Sequence, residues 1–111
     1  MLSIKIREAK FEDAEVISRL STQLGYPANE MDMQNNLLAI ASTKLGNVFV
    51  AYSENTVTGW IYLYRHTDLS TGKYMEIMGL VVDEAHRSKG IGAQLIQYTI
   101  NICKKENIKQ L

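Results

Sequence analysis

The chain has one cysteine, one proline, no excess of charge of either sign and no apolar run long enough to cross a bilayer. Each shortage excludes something. A single thiol, Cys103, cannot close an internal disulfide and falls short of the cysteine pair on which small metal sites are built. Lys and Arg number 12 and Asp and Glu number 12, so the formal net charge is zero. That balance argues against non-specific nucleic-acid binding and against a surface held on anionic lipid. The longest apolar run, Ile77–Val82, is far shorter than the ~20 residues a membrane helix needs. The N-terminal stretch carries Lys5, Arg7 and Lys10 and has no apolar signal core. With 7 glycines and 1 proline the chain has few breaks, so mostly regular structure is expected. Repeats, linkers and low-complexity tracts are missing. The expectation is a soluble, cytoplasmic protein that binds neither nucleic acid nor membrane.

What is present suits one globular domain over residues 1–111. Hydrophobic residues make up 46% and charged residues 22%. A chain of 111 residues buries about two-thirds of its unfolded surface, enough for a core without staples.

The periodicity gives an element order. Ile4 and Ile6 alternate with polar residues and predict a strand over Ser3–Arg7. From Phe11 to Leu24, Ala14, Ile17, Leu20 and Leu24 recur at helical spacing, with Glu12, Asp13, Glu15 and Arg19 elsewhere. Gly25-Tyr26-Pro27 ends that helix. Asn29 and Asp32 resemble a capping pair for a second helix, with Met33, Leu37, Ile40 and Ala41 on one face, ending near Gly46. Asn47–Ser53 and Val57–Arg65 read as a hairpin across Glu54-Asn55. Val57, Ile61 and Leu63 are expected on one face of the second strand, and Trp60, Tyr62 and Tyr64 on the other. Both faces are apolar, so this strand should be covered on both sides. A polar loop, His66–Gly72, leads to a strand over Lys73–Val82. After the charged loop Asp83–Lys89, a helix runs from Gly90 to about Glu106. Its inner stripe is Ile91, Leu95, Tyr98, Thr99, Ile102 and Cys103. Ile108–Leu111 reads as the opening of a further strand, joined to its predecessor by a right-handed crossover. The fold class is α/β with a mixed sheet, in the order β-α-α-β-β-β-α-β, and the last strand is expected to be incomplete at its C-terminal end. Cys103 is read as a small core residue. His66 and His86 are read as loop histidines, and no metal is expected.

Residues 76–95, EIMGLVVDEAHRSKGIGAQL, carry the chemistry. An apolar strand ends in a loop bearing Arg87 and Lys89, then Gly90 and Gly92, then a helix start. Unpaired N–H groups and the helix dipole make that start a phosphate site. The glycines let a ligand approach the backbone closely. A Walker loop would need Gly-x-x-x-x-Gly-Lys-Ser/Thr, which is missing. A dinucleotide fingerprint would need three glycines directly after the strand, and here only Gly90-Ile91-Gly92 is present.

Arg87-Ser88-Lys89-Gly90-Ile91-Gly92 resembles the acetyl-CoA signature Arg/Gln-x-x-Gly-x-Gly/Ala of the GNAT superfamily of N-acetyltransferases. The preceding Glu76–Val82 is similar to the family's fourth strand, and the element order agrees along essentially the whole chain. The resemblance implies acetyl-CoA as co-substrate and no metal. It implies direct transfer to a primary amine of a small molecule or a protein. It places the CoA pyrophosphate on the backbone N–H groups of Arg87, Ser88, Lys89, Gly90, Ile91, Gly92 and Ala93. It pairs the backbone of Leu80, Val81 and Val82 with the pantetheine arm, with a bulge near Met78-Gly79 opening the slot. The Leu80 N–H would polarise the thioester carbonyl, and Glu76 would be the general base. The family's usual tyrosine acid follows the fifth strand, so no general acid is assigned. The alternative implied by the short C-terminal end is a CoA-binding module without turnover, which a partner chain could complete, a second copy making a homodimer.

Overall fold

The computed structural model describes residues 3–111. Four strands, β1 (Lys5–Glu8), β2 (Gly46–Ser53), β3 (Thr56–Asp68) and β4 (Gly72–Val82), form one antiparallel sheet in sequence order. Helices α1 (Ala14–Gln23) and α2 (Glu30–Ala41) cover one face, and α3 (Ile91–Lys105) covers the other. No helix among the described residues is long and apolar enough to cross a membrane.

The sheet separates two cores. Under α1 and α2 lie Ala14, Ile17, Leu20, Leu37, Val48, Val50, Val57 and Val81. Under α3 lie Phe49, Ala51, Ile61, Leu63 and Met75 with Ile91, Leu95 and Cys103. The α3 stripe is as expected, and burial pushes the Cys103 thiol up, as suits an inert core residue. The expected cap is also present. Asn29 Oδ1 accepts from the Asp32 N–H at 2.7 Å, and the Asn29 amide donates to Asp32 Oδ2 at 2.9 Å. A bidentate pair between Arg7 and Asp13, 2.7 and 3.0 Å, ties β1 to the short 3-10 turn that leads into α1.

Several expectations need correcting. The second helix, expected to end near Gly46, ends at Ala41, and Gly46 already opens β2. Helical spacing predicts Leu24 on the buried stripe of the first helix, but it lies past the end of α1 and is exposed. Alternation predicts Val57 on the same face as Ile61 and Leu63, yet it packs on the α1–α2 side. Gly59 pairs with Ala51 and Val57 with Tyr52, so Thr58 is an extra residue that reverses the alternation. The polarity of His66–Gly72 predicts a loop. Instead β3 continues to Asp68, because His66 pairs with Tyr74 and Thr67 with Lys73. The polar side chains there mark a solvent-facing hairpin end. The further strand expected at Ile108–Leu111 is a single parallel bridge between Gln110 and Tyr74, with the Met75 N–H donating to the Gln110 carbonyl at 3.0 Å.

Gly59 is where α3 meets the sheet. A Cβ there would lie 2.9 Å from the Val81 carbonyl oxygen and 3.2 Å from Ile91 Cγ2. The first neighbour is backbone and cannot swing away. Gly59→Ala is therefore expected to cost about 1–3 kcal/mol of stability, read from urea unfolding midpoints. An unchanged midpoint would show that α3 docks more loosely than this contact requires.

Candidate active site

The site is built where β4 runs out and α3 begins. The register between β3 and β4 slips once: Tyr62 faces Gly79 and Leu63 faces Ile77, so Met78 is the extra residue. The expected bulge is therefore present. It bends β4 and reverses which side chains face α3. Before it, Met75 and Ile77 face α3 and Glu76 faces the α1–α2 side; after it, Leu80 and Val82 face α3 and Val81 faces the other side. Gly79 is required at this point, because a Cβ would lie 2.9 Å from the Trp60 ring. Along the outer edge of β4, pairing among the described residues is confined to the Tyr74–Gln110 bridge. Residues 76–82 thus present a free strand edge.

The connecting loop is shaped by Asp83. Its N–H donates to the Thr58 carbonyl at 2.8 Å, and its carboxylate accepts from the Ala85 N–H at 3.3 Å. Burial acts to raise the Asp83 carboxyl, but hydrogen bonds from Gln23, Ala85 and His86 outweigh it and hold the group below its ordinary value. Gln23, at the end of α1, donates to Asp83 Oδ1 at 3.2 Å and accepts from the Glu84 N–H at 3.0 Å. One amide side chain thereby clamps α1 to the loop. Gln23 was not foreseen as part of the site, since nothing in its own neighbourhood signals a partner 60 residues away.

The loop then turns sharply. Ser88 and Gly90 adopt φ of 68° and 81°. Gly90 caps α3, and its carbonyl accepts from the Gln94 N–H at 3.0 Å. Among the described residues no acceptor faces the N–H groups of Ser88, Lys89, Gly90, Ile91, Gly92 and Ala93. The Arg87 N–H is engaged only by a long 3.5 Å contact with the Glu84 carbonyl. Arg87, Ser88, Lys89, Gly90 and Ala93 are exposed, and a Cβ on Gly92 would meet nothing nearer than Val82 Cγ2 at 3.8 Å. The result is an exposed run of backbone donors at the positive end of a helix, with the cationic side chains of Arg87 and Lys89 beside it. These features suit a diphosphate.

Not every candidate gathers there. Lys89 and His86 also border a cavity of about 720 Å³ on the other flank of the α3 start, between Ser53–Thr58 and Ile4. Glu76 stands on the α1–α2 face of β4, opposite Tyr64 and half exposed, with Oε1 2.7 Å from His66 Nε2. His66, read from the sequence as a loop histidine, is thus a neighbour of the candidate base. Among the described residues no group of three His, Cys, Asp or Glu could hold a metal ion.

The family model described as Acetyltransferase (GNAT) family matches residues 11–111. No curated protein matches the chain. Among solved structures, the chain is similar to a GNAT family acetyltransferase from Staphylococcus aureus, with 27% identity and a TM-score of 0.88, over 97% of this chain and 83% of that one. Its fold also resembles glucosamine-6-phosphate N-acetyltransferase from Arabidopsis thaliana, at 19% identity and a TM-score of 0.84, over 97% of this chain and 79% of that one. Ribosomal-protein-alanine N-acetyltransferase from Brucella melitensis shares the fold at 16% identity and a TM-score of 0.81, over 98% and 77% of the two chains. Strand order, bulge, glycine-capped helix start and family match agree, and the chain belongs to the GNAT family of acetyltransferases.

Proposed function

We propose that the chain transfers an acetyl group from acetyl-CoA directly to a primary amine, carried by a small molecule or a protein. The observation that carries this reading is the run of unpartnered N–H groups from Ser88 to Ala93 beside the free edge of β4. Bound acetyl-CoA supplies an activated thioester. The α3 start, with Arg87 and Lys89, holds its diphosphate. The backbone of Leu80, Val81 and Val82, on the free edge of β4, aligns the pantetheine arm as an added strand would. The Leu80 N–H polarises the thioester carbonyl.

Glu76 takes the proton that the ammonium must lose to become a nucleophile. The amine nitrogen then bonds to the acetyl carbon, and the carbon–sulfur bond breaks. The sulfur leaves with the electron pair and takes a proton from water, while the new amide nitrogen loses its second proton to solvent. No side chain is assigned as acid for the sulfur. The two relatives named for their acceptors differ in acceptor type, one a sugar phosphate and the other a ribosomal protein.

A second reading is a CoA-binding module completed by another copy of the chain. It is favoured by the outer edge of β4, which pairs only at Tyr74–Gln110 among the described residues. Calorimetric titration with acetyl-CoA, followed by thiol release in the presence of primary amines, separates the two. Micromolar binding with thiol release supports transfer. Binding without release supports the module, and a sedimentation mass of at least a dimer would support completion by self-association. Failure of the folded chain to bind would remove both.

A further inference from the structure

The α1–α2 face of the β3–β4 hairpin carries a row of side chains leading away from the bulge. The register sets Tyr62 against Gly79, then Tyr64 against Glu76, then His66 against Tyr74. Glu76 is therefore one step from the bulge and His66 one step farther out. His66 Nε2 lies 2.7 Å from Glu76 Oε1. A carboxylate only accepts, so Nε2 carries the hydrogen in this contact. The imidazole touches two aromatic rings. It stacks on Tyr74 with ring centres 4.8 Å apart and planes at 12°, and Tyr64 leans against it at 5.0 Å and 51°. Tyr74 is the residue that bridges to Gln110. The ring thus rests on a residue paired on both of its edges, to His66 and to Gln110. Glu76 Oε2 has no partner among the described residues.

We propose that His66 is a positioning residue for acetyl transfer, holding Oε1 of Glu76 through its Nε2–H and keeping Oε2 free to take the amine proton. The inference rests on the reading of Glu76 as the base and adds to it. A glutamate at the surface of a strand samples several rotamers, and only some point an oxygen at the reacting amine. A donor fixed by two aromatic rings removes most of that freedom before the substrate arrives. The pair is too exposed to contribute much to folding, with 32% of the His66 side chain and 49% of the Glu76 side chain accessible. Substitution of His66 should therefore leave the fold intact and act on the rate.

Thiol release from acetyl-CoA is measured with the fastest of three primary amines: ethanolamine, 1,4-diaminobutane and a lysine-containing peptide. His66→Phe keeps a ring on Tyr74 but removes the donor. It is expected to lower kcat by about 10- to 100-fold with KM for acetyl-CoA within about twofold of wild type. His66→Gln restores an N–H and is expected to return to within about threefold of the wild-type kcat. On a Glu76→Gln background, His66→Phe is expected to cost nothing more, because the positioned carboxylate is already gone. A wild-type kcat for His66→Phe, no rescue by His66→Gln, or additive losses in the double variant would overturn the proposal. If Glu76→Gln is as fast as wild type, or wild type is inert with all three amines, the reading of Glu76 as base fails, and this inference with it. Slow Glu76→Gln beside fast His66→Phe sinks this inference alone.

Discussion

Gly92→Glu is expected to abolish acetyl-CoA binding while leaving the protein folded. Gly92 is the second residue of α3, inside the first helical turn. A Cβ built there meets only Val82 Cγ2, at the ordinary contact distance of 3.8 Å. The fold therefore has room for a side chain. Intrinsic propensity favours any straight-chain residue over glycine in a helix by roughly 0.5–1 kcal/mol. A carboxylate in the first turn also suits the helix dipole. Every folding term is neutral or favourable, and the thermal midpoint should hold or rise slightly.

The same side chain stands where the diphosphate would lie. It crowds the exposed N–H groups and sets a negative charge against a ligand that is already negative. A loss of at least about 100-fold in affinity is expected, equivalent to about 2.7 kcal/mol. Gly90 offers a poorer test of the same idea. At φ of 81° a side chain is strained whatever the space, so lost binding could reflect a disturbed α3 start. Calorimetric titration of Gly92→Glu, with a melting curve on the same sample, reads both quantities. A folded variant with wild-type affinity would show that the diphosphate does not sit at the α3 start.

The strand-to-helix segment was readable from the amino acids because its signals are local. A glycine with positive φ, a helix stripe and a pair of basic residues all lie within a few positions of each other. The α3 stripe was readable for the same reason, since its period depends on no other element. The errors came where a neighbour decides. Val57 changes face because Thr58 is squeezed out of register with β2, and alternation within β3 alone cannot show that. The hairpin end at His66–Asp68 is polar because it faces solvent, and polarity in a single sequence looks the same in a loop. Gln23 reaches Asp83 and Glu84 only once α1 packs against the sheet. His66 meets Glu76 only because β3 and β4 pair in one register. The bulge at Met78 is the intermediate case: it was expected from the family resemblance, and the apolar run Ile77–Val82 by itself carries no mark of it.

Glu76→Gln is expected to lower kcat by about 10²- to 10⁴-fold and to leave acetyl-CoA affinity unchanged. An alkyl ammonium titrates near pH ~10.4, so at neutral pH only about one molecule in ~2,500 is a free amine. Direct transfer has to make up that deficit, about 4–5 kcal/mol, by removing a proton at the site or by holding the amine neutral there. Among the described residues, Glu76 is the carboxylate on β4 itself, one step from the bulge and facing the side that α1 and α2 leave open around it. Glutamine keeps the length and planarity of the side chain, and its carbonyl still accepts from the His66 N–H. What it loses is the capacity to take a proton. Binding should survive, because the donors proposed for the diphosphate lie at the start of α3, on another element. The measurement is kcat from about pH 6 to 9 together with a titration for acetyl-CoA. If the glutamine variant turns over at the wild-type rate throughout that range, the amine gives its proton directly to water. Glu76 would then be no more than half of an exposed hydrogen-bonded pair, a contact whose removal the protein would scarcely register.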